Sequence, residues 1–216
     1  RAVATDQVID IFAAAGLKEE TLKPGASLAL ELAETRLLAG KDGLVDVENV
    51  CGFWPGADPV LKNEVLIVSA HYDHVGLQGG KIHNGADDNA SGTCTLLALA
   101  EGLKQYGPMS RSVMLMWVAG EEKGLWGSAA WTRNPYLPEG CKAVADINID
   151  MVGRNAPDKL LVTPTSKHES YSFLTKIAET YAPLEGFPVL GSADEYWRRS
   201  DHFNFAKAGV PALYIK

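Results

Sequence analysis

The sequence predicts an α/β fold in which strands are joined by helical crossover connections. Three mostly apolar runs carry this prediction, at residues 64–70, 112–120 and 144–153. Continuous apolar runs are typical of strands that are buried on both faces of a sheet. Helical patterns lie between these runs, at residues 91–107 and again at 127–134. Such an alternation of strands and helices indicates a sheet with crossovers packed on its faces.

The remaining segments fit around this sheet. A helix is predicted within residues 5–16, where apolar side chains recur with helical spacing between a polar start signal and a glycine. Residues 27–36 and 44–54 alternate apolar and polar side chains, which predicts strands with one face in water. A later helix is predicted over residues 168–182, and segment 210–216 is predicted to be a last core strand.

Composition and charge exclude several classes of protein. With 216 residues and 46% hydrophobic residues, the chain can build one substantial core. The formal net charge of -7 argues against a nucleic-acid partner. No apolar run is long enough to span a bilayer. The three cysteines contain no C-x-x-C pair, so a zinc ribbon or a disulfide framework is not predicted.

Metal-competent side chains follow the predicted strands or precede the first helix of the sheet. These residues are His71, Asp73, Asp87, Asp88, Glu121, Glu122 and Asp150. Ligand sites in open α/β sheets lie beyond the carboxyl ends of the strands. We therefore expect this set to gather along one rim of the sheet, although its members are far apart in sequence.

So many carboxylates in one cleft require a cation, because they would otherwise repel each other and take up protons. Mixed imidazole and carboxylate ligands suit zinc, with iron, cobalt and manganese as alternatives. The number of acids suggests two ions that share a carboxylate, and such a pair can polarise a carbonyl and activate water. Adjacent Glu121 and Glu122 would supply one metal ligand and one group that moves protons, and His202 is the last ligand candidate.

Five segments carry a family resemblance: "AHYDHVG", "NGADDNASG", "VAGEEKGLWGS", "INIDMVG" and "RSDHFNFAKAGVPALYI". In this order, from about residue 44 to 216, they resemble the double-zinc aminopeptidases of the bacterial leucyl aminopeptidase and aminopeptidase Y type. The same wider group contains glutamate carboxypeptidase and glutaminyl cyclase. The resemblance implies a three-layer α/β/α fold with a mixed, mostly parallel central sheet, as in zinc-dependent exopeptidases and phosphorylase/hydrolase-like proteins.

The resemblance also implies the metal ligands. His71 and Asp150 would bind one zinc ion, and Glu122 and His202 the other. Asp88 would bridge both ions, which gives two Zn²⁺ per chain.

Other residues receive roles in the same way. Asp73 would orient a histidine ligand, and Glu121 would be the general base. Tyr196 is the nearest candidate for stabilising an oxyanion, and Trp197 and Phe203 are candidates for the substrate pocket.

Some polar residues have no predicted metal role. His74, His83 and His168 are interpreted as surface or loop histidines, because nothing in their contexts demands a metal. Asp87 is predicted to shape its loop.

The predicted activity is that of a metallo-exopeptidase which hydrolyses the N-terminal bond of a peptide substrate. A glutaminyl cyclase, which keeps one zinc, or a carboxypeptidase is an alternative, because loops rather than ligands separate these activities. A non-catalytic binding module is disfavoured, since every expected ligand residue is present.

We interpret residues 1–216 as a single catalytic peptidase domain, and we expect that it is trimmed at both ends. Residues 1–23 resemble a segment that follows a protease-associated domain in many relatives, so such a domain is expected to precede the chain or to have been left out. Family habit suggests a secreted or periplasmic location.

Overall fold

The computed structural model of the protein describes the backbone of residues 29–38 and 44–216, and the side chains from residue 47 onward. The helix predicted within residues 5–16 lies outside the described residues. No helix in the described ranges combines the length and apolar character that a bilayer-spanning segment needs.

The described strands, in chain order, are β1 (Ala29–Leu38), β2 (Leu44–Trp54), β3 (Glu64–His71), β4 (Gly76–Gln78), β5 (Lys81–His83), β6 (Ser112–Val118), β7 (Lys142–Ile149), β8 (Leu160–Thr163), β9 (Leu190–Ser192) and β10 (Ala212–Ile215). The described α-helices are α1 (Gly92–Tyr106), α2 (Trp126–Arg133), α3 (Phe173–Tyr181) and α4 (His202–Lys207). The three apolar runs thus form β3, β6 and β7, as predicted.

Eight of these strands form one mixed sheet in the order β1-β2-β6-β3-β7-β10-β8-β9. Its four central strands, β6, β3, β7 and β10, are parallel to their neighbours within this group. The pair β1 and β2 continues the sheet antiparallel at one edge, and β8 pairs antiparallel with β10 near the other edge. Strands β4 and β5 form a separate hairpin. The predicted mixed and mostly parallel sheet is confirmed.

Helices cover both faces of the sheet. Helix α1 packs Leu96 against Val68, whereas α2 and α4 pack Trp131 and Phe205 against Ile67 on the opposite face. Adjacent residues of β3 therefore serve different helix layers, as the two-residue period of a strand requires. Helix α3 packs against β10 on the α1 side. The predicted three-layer α/β/α architecture is confirmed.

Candidate metal centre

The carboxyl ends of the four central parallel strands meet at one rim, and acidic side chains and one histidine lie there. His71 is the last residue of β3, and Asp150 directly follows β7. Glu121 and Glu122 lie in the turn between β6 and α2. Because the strands are parallel, these distant sequence positions converge, as the sequence predicts.

A kinked turn, Ala86–Ser91, whose backbone is not helical at Asp88 and Asn89, brings Asp88 to the same rim. The side chain of buried Asn89 fixes this turn to the end of β7. Its Nδ2 donates to the Ile149 carbonyl (3.0 Å), while its Oδ1 accepts from the backbone N–H groups of Gly92 (2.9 Å) and Met151 (3.2 Å). The Asp88–Asn89 peptide bond is cis.

A first group of metal-competent atoms forms around His71. Its Nδ1–H donates to the backbone carbonyl of Asp73 (3.0 Å), so in the neutral ring the lone pair is on Nε2. Nε2 lies 3.2 Å from Asp88 Oδ1 and 3.4 Å from Asp150 Oδ1. Nε2 and Asp150 Oδ1 are buried without a hydrogen-bond partner. Unpartnered buried polar atoms are rare, so this group fits a cation.

The electrostatics of this first group also favour a cation. Burial opposes protonation of His71, but the carboxylates of Asp150, Asp73 and Asp88 outweigh it and raise the pKa of the ring. Without a metal, the carboxylates thus favour the protonated, positively charged form of the His71 ring.

A second group contains His74, Asp88 and Glu122. His74 Nδ1 lies 2.6 Å from Glu122 Oε1, yet both atoms are buried and neither makes a hydrogen bond. Asp88 belongs to both groups, which is the bridging position that the family resemblance implies. His74 lies in a loop, as interpreted from the sequence, and its ring also reaches this second group.

Asp73 holds the acidic pair in place rather than contacting the His71 ring with its carboxylate. The shorter contact to His71 Nδ1 comes from the Asp73 backbone carbonyl, and the carboxylate lies 3.7 Å away. That carboxylate accepts from the backbone N–H groups of Glu121 (3.0 Å) and Glu122 (3.2 Å), one with each oxygen. Asp73 therefore orients the imidazole through its backbone and the glutamates through its side chain.

The Asp73→Asn variant is expected to lower the free energy of unfolding by about 1–3 kcal/mol. The side-chain NH₂ group of asparagine would face one of the two backbone N–H groups, which would then lose its hydrogen-bond acceptor. Urea denaturation of the metal-free protein measures this loss. Asp58→Asn is the matched control, since a single oxygen, Asp58 Oδ1, accepts from both Val60 and Leu61 (2.8 Å each) and an asparagine carbonyl can do the same. Equal losses in the two variants would contradict the role of Asp73.

Glu121 belongs to neither donor group but stands beside them. Its Oε2 lies 4.0 Å from His71 Nε2, and the side chain is mostly buried. Burial, together with the charges of Asp201, Asp150 and Glu122, raises the pKa of Glu121 to about 9. This carboxyl group is therefore poised to hold a proton.

The raised pKa of Glu121 predicts that metal-free protein loses stability as pH rises. The pKa is about 9 in the folded state, against an ordinary value of 4.5, so the unfolded chain ionises first and unfolding becomes easier between these values. In metal-free Glu121→Gln the contribution of Glu121 to this loss is absent. We expect its melting temperature to exceed that of the parent by roughly 5–10 °C at pH 8 and by much less at pH 5. A gap that does not depend on pH would contradict the argument.

His202 is not grouped with the predicted partner Glu122 among the described donor atoms. Its ring is completely buried, stacks on Tyr214 (4.9 Å between centroids, 27°) and meets Trp197 edge-on (5.0 Å). His202 is in neither donor group. Burial lowers its pKa to about 3. The first turn of α4 places the His202 ring in an aromatic cluster, and its pairing with Glu122 at a metal stays a prediction.

The three residues predicted to contact substrate, Tyr196, Trp197 and Phe203, lie in two different environments. Trp197 is buried between the rings of His168 (4.7 Å) and His202, with Phe203 at 6.5 Å, and neither Trp197 nor Phe203 lines the acidic cavity. Tyr196 does line it, and Lys216 Nζ lies 4.0 Å from the centre of its ring. Asp87 binds the Gly153 N–H (2.7 Å) in the adjoining loop, in keeping with its predicted shaping role.

The cavity over the rim has a volume of about 360 Å³. Its lining residues are Asp88, Glu121, Glu122, Asp150, Met151, Tyr196, Arg199, Tyr214 and Lys216. Sequence reasoning missed Tyr214, Lys216, Arg199 and Met151. Tyr214 lies in β10, which pairs parallel with β7, and Lys216 directly follows that strand.

Comparison with known proteins identifies the family. Residues 49–216 match the model of Peptidase family M28. The chain belongs to this family.

Two curated M28-like relatives illustrate the match. A probable leucine aminopeptidase of Arthroderma otae is 30% identical over 163 residues, which cover 73% of this chain and 44% of the relative. Leupeptin-inactivating enzyme 1 of Streptomyces exfoliatus is 30% identical over 164 residues, covering 76% of this chain and 34% of the relative. The chain spans less than half the length of these two relatives.

Solved structures share the M28 fold of this chain. BSAP, a zinc aminopeptidase from Bacillus subtilis, superposes with a TM-score of 0.65 at 26% identity, over 81% of this chain and 40% of that protein. A Bacteroides thetaiotaomicron glutaminyl cyclase superposes with a TM-score of 0.72 at 21% identity, over 98% of this chain and 76% of that protein. The second likeness shows the fold alone.

A buried network of polar side chains, Ser128, Asp201 and Asn204, lies near the acidic rim and was not predicted from the sequence. Asp201 Oδ1 accepts from Ser128 Oγ (2.5 Å), which also accepts from Asn204 Nδ2 (2.9 Å). Burial raises the pKa of Asp201 to about 7. Because its charge acts on Glu121, this network contributes to the raised pKa of that residue.

Proposed function

We propose that this M28 chain carries the catalytic site of an aminopeptidase that removes the N-terminal residue of peptides, with two zinc ions and Glu121 as general base. One observation carries the proposal: two groups of donor atoms share Asp88, and four of their atoms are buried without a hydrogen-bond partner. The names of the relatives, leucine aminopeptidase and zinc aminopeptidase, support the substrate class and the metal.

The donor atoms suit zinc because they combine imidazole nitrogen with carboxylate oxygen. His71, Asp88 and Asp150 would hold one ion, and Asp88 and Glu122 would contribute to the other. Bound zinc would polarise the scissile carbonyl and make a water molecule more acidic. The buried setting strengthens these effects, since charges interact more strongly where water is scarce.

Glu121 would take a proton from the attacking water and deliver it to the leaving amine. The carboxyl lies beside the donor groups without belonging to them, so it stays free for proton transfer. In the field of bound cations its pKa falls from the raised value, because nearby positive charge favours the carboxylate. A base whose pKa approaches the working pH is the most effective one.

Tyr196 lines the cavity and would place its phenol near the oxygen that becomes negative in the transition state. The free amino group of the substrate is positively charged, so the acidic wall of the cavity would attract it. These two contacts would orient a peptide with its first carbonyl over the rim.

The test measures zinc per chain and hydrolysis of amino-acyl anilides before and after chelation. We expect two zinc ions per chain, loss of hydrolysis with a chelator, and recovery when zinc is returned. N-terminal glutaminyl peptides and blocked peptides with free carboxyl ends complete the panel. Release of ammonia from glutaminyl peptides with one zinc would identify a cyclase, whereas turnover that survives chelation would refute the proposed mechanism.

A further inference from the structure

We infer that Arg199 and Lys216 form a subsite for a carboxylate of the peptide substrate, in the cavity over the acidic rim. The inference rests on the proposed aminopeptidase function and deepens it, because it names the charge of the preferred substrate. The carboxylate belongs to the side chain of the first residue or to the free carboxyl end of a dipeptide. Both sources present the same chemical group to the same two cations.

The charges that line the cavity are the first argument. Arg199 and Lys216 share it with four carboxylates, yet neither cation forms an ion pair within the described part of the chain. Both contact one neutral ring instead: Arg199 Cζ lies 5.3 Å and Lys216 Nζ 4.0 Å from the centre of the Tyr196 ring. The two charges are therefore at most roughly 10 Å apart, about the Debye length in 0.1 M salt. Together they attract an anion more strongly than either does alone.

The hydrogen-bond donors of the two side chains are the second argument. Lys216 Nζ donates to Met151 Sδ (3.5 Å), and a thioether is a weak acceptor. Arg199 makes its contact with Tyr196 as a cation over a ring, which uses no N–H of the guanidinium in a strong hydrogen bond. A guanidinium presents its donors as a fork that matches the two oxygens of a carboxylate. The pair thus keeps its strongest donors available for a substrate carboxylate.

The backbone holds Arg199 beside the cavity before a substrate binds. Its N–H donates to the Tyr196 carbonyl (2.8 Å), at the end of the turn Asp194–Tyr196. Asp194 Oδ1 accepts from Thr163 Oγ1 (2.7 Å) and from the Thr165 N–H (2.9 Å), which fixes this turn to the end of β8. A cation on an anchored backbone loses less freedom when it binds a ligand, and this favours affinity.

Lys216 is anchored to the same strand. Its N–H donates to the Leu161 carbonyl (2.9 Å), and its carbonyl accepts from the Leu161 N–H (2.8 Å). The cavity that both cations line has a volume of about 360 Å³. A compact space of this volume is about as wide as an extended dipeptide is long, roughly 7 Å. A short peptide can therefore place its amino group at the acidic wall and a carboxylate at the two cations at the same time.

The experiment compares kcat/KM for two matched pairs of peptides. Leucyl-alanine and its amide differ in the main-chain carboxylate, whereas glutamyl-alanine amide and its γ-methyl ester differ in the side-chain carboxylate. We expect the parent chain to prefer the carboxylate member of at least one pair by roughly 10–100-fold, the usual contribution of charge-assisted hydrogen bonds. The pair that shows this preference identifies the source of the carboxylate.

Arg199→Gln and Lys216→Met should each lower this preference, and the double variant should bring the ratio of the two kcat/KM values close to one. Arg198→Gln is the matched control, because Arg198 is also exposed but contacts the Phe203 ring (5.8 Å) and does not line the cavity. Its ratio should equal that of the parent. Since each ratio is measured within one variant, a general loss of activity cancels.

Parent ratios near one in both pairs would overturn the inference and leave the proposed function standing. A double variant that keeps the parent ratio would also overturn it, since the two cations would then only balance the charge of the acidic wall. A parent chain that hydrolyses none of the four peptides would contradict the proposed function instead.

In that case the same peptides serve as ligands in calorimetric titrations. The inference predicts that the parent and Arg198→Gln bind the carboxylate member of a pair more tightly, and that the double variant does not. Equal or undetectable binding of both members by the parent would overturn it.

Discussion

Glu121→Gln is expected to lower kcat for amino-acyl anilides by about 10²–10⁴-fold while the zinc content stays the same. Glutamine matches the shape of glutamate but cannot accept a proton. Because Glu121 belongs to neither donor group, the grouped donor atoms all remain in Glu121→Gln. The substitution therefore removes proton transfer from the site and little else, so KM should change much less than kcat.

The neighbouring residue provides the sharpest comparison. Glu122→Gln replaces a carboxylate of the second donor group and is expected to weaken zinc binding as well as activity. Zinc analysis alongside kinetics distinguishes the two variants. Glu121→Gln should be nearly inactive with a full zinc content, whereas Glu122→Gln should be nearly inactive with less zinc. Glu139→Gln, at an exposed position, serves as the control that should match the parent. Parent-like turnover by Glu121→Gln would refute its role as general base.

The rim could be predicted from sequence because parallel strands leave little freedom. Once the apolar runs are assigned to β3, β6 and β7, the residues after each run have to lie at one edge of the sheet. His71, Glu121 and Asp150 follow from that geometry alone. The resemblance to a known family then supplies a bridging role for Asp88, which lies in a turn that no periodicity describes.

The positions of His74 and His202 could not be predicted from the sequence. His74 and His202 both occur in polar motifs, and nothing local indicates which ring reaches Glu122. Their positions depend on tertiary packing: the space that Gly85 leaves beside His74, and the aromatic rings of Tyr214 and Trp197 around His202. The role of the Asp73 carboxylate is obscure for a similar reason, since its partners are backbone N–H groups 48 and 49 residues away.

Gly92→Ala is expected to lower the free energy of unfolding by about 1–3 kcal/mol and to weaken zinc binding at both positions. A Cβ at this residue would lie 2.4 Å from the Ile149 carbonyl oxygen and 2.4 Å from Asn89 Oδ1, far inside normal contact. The Ile149 oxygen belongs to the end of β7 and cannot move without disturbing the sheet, so Asn89 would have to shift. That shift breaks the hydrogen bonds which hold the Asp88 turn to the rim.

Gly102→Ala is the matched control for this change, because Gly102 lies in the same helix and a Cβ there meets no atom within 4 Å. It should stabilise the protein by up to ~1 kcal/mol, since alanine loses less conformational entropy in a helix than glycine. Urea denaturation of the metal-free proteins followed by zinc titration compares the pair. If Gly92→Ala matched Gly102→Ala in both measurements, the link from Gly92 through Asn89 to Asp88 would be refuted. If stability alone fell, the rim would tolerate displacement of the turn, and Asp88 would not be the carboxylate on which both donor groups depend.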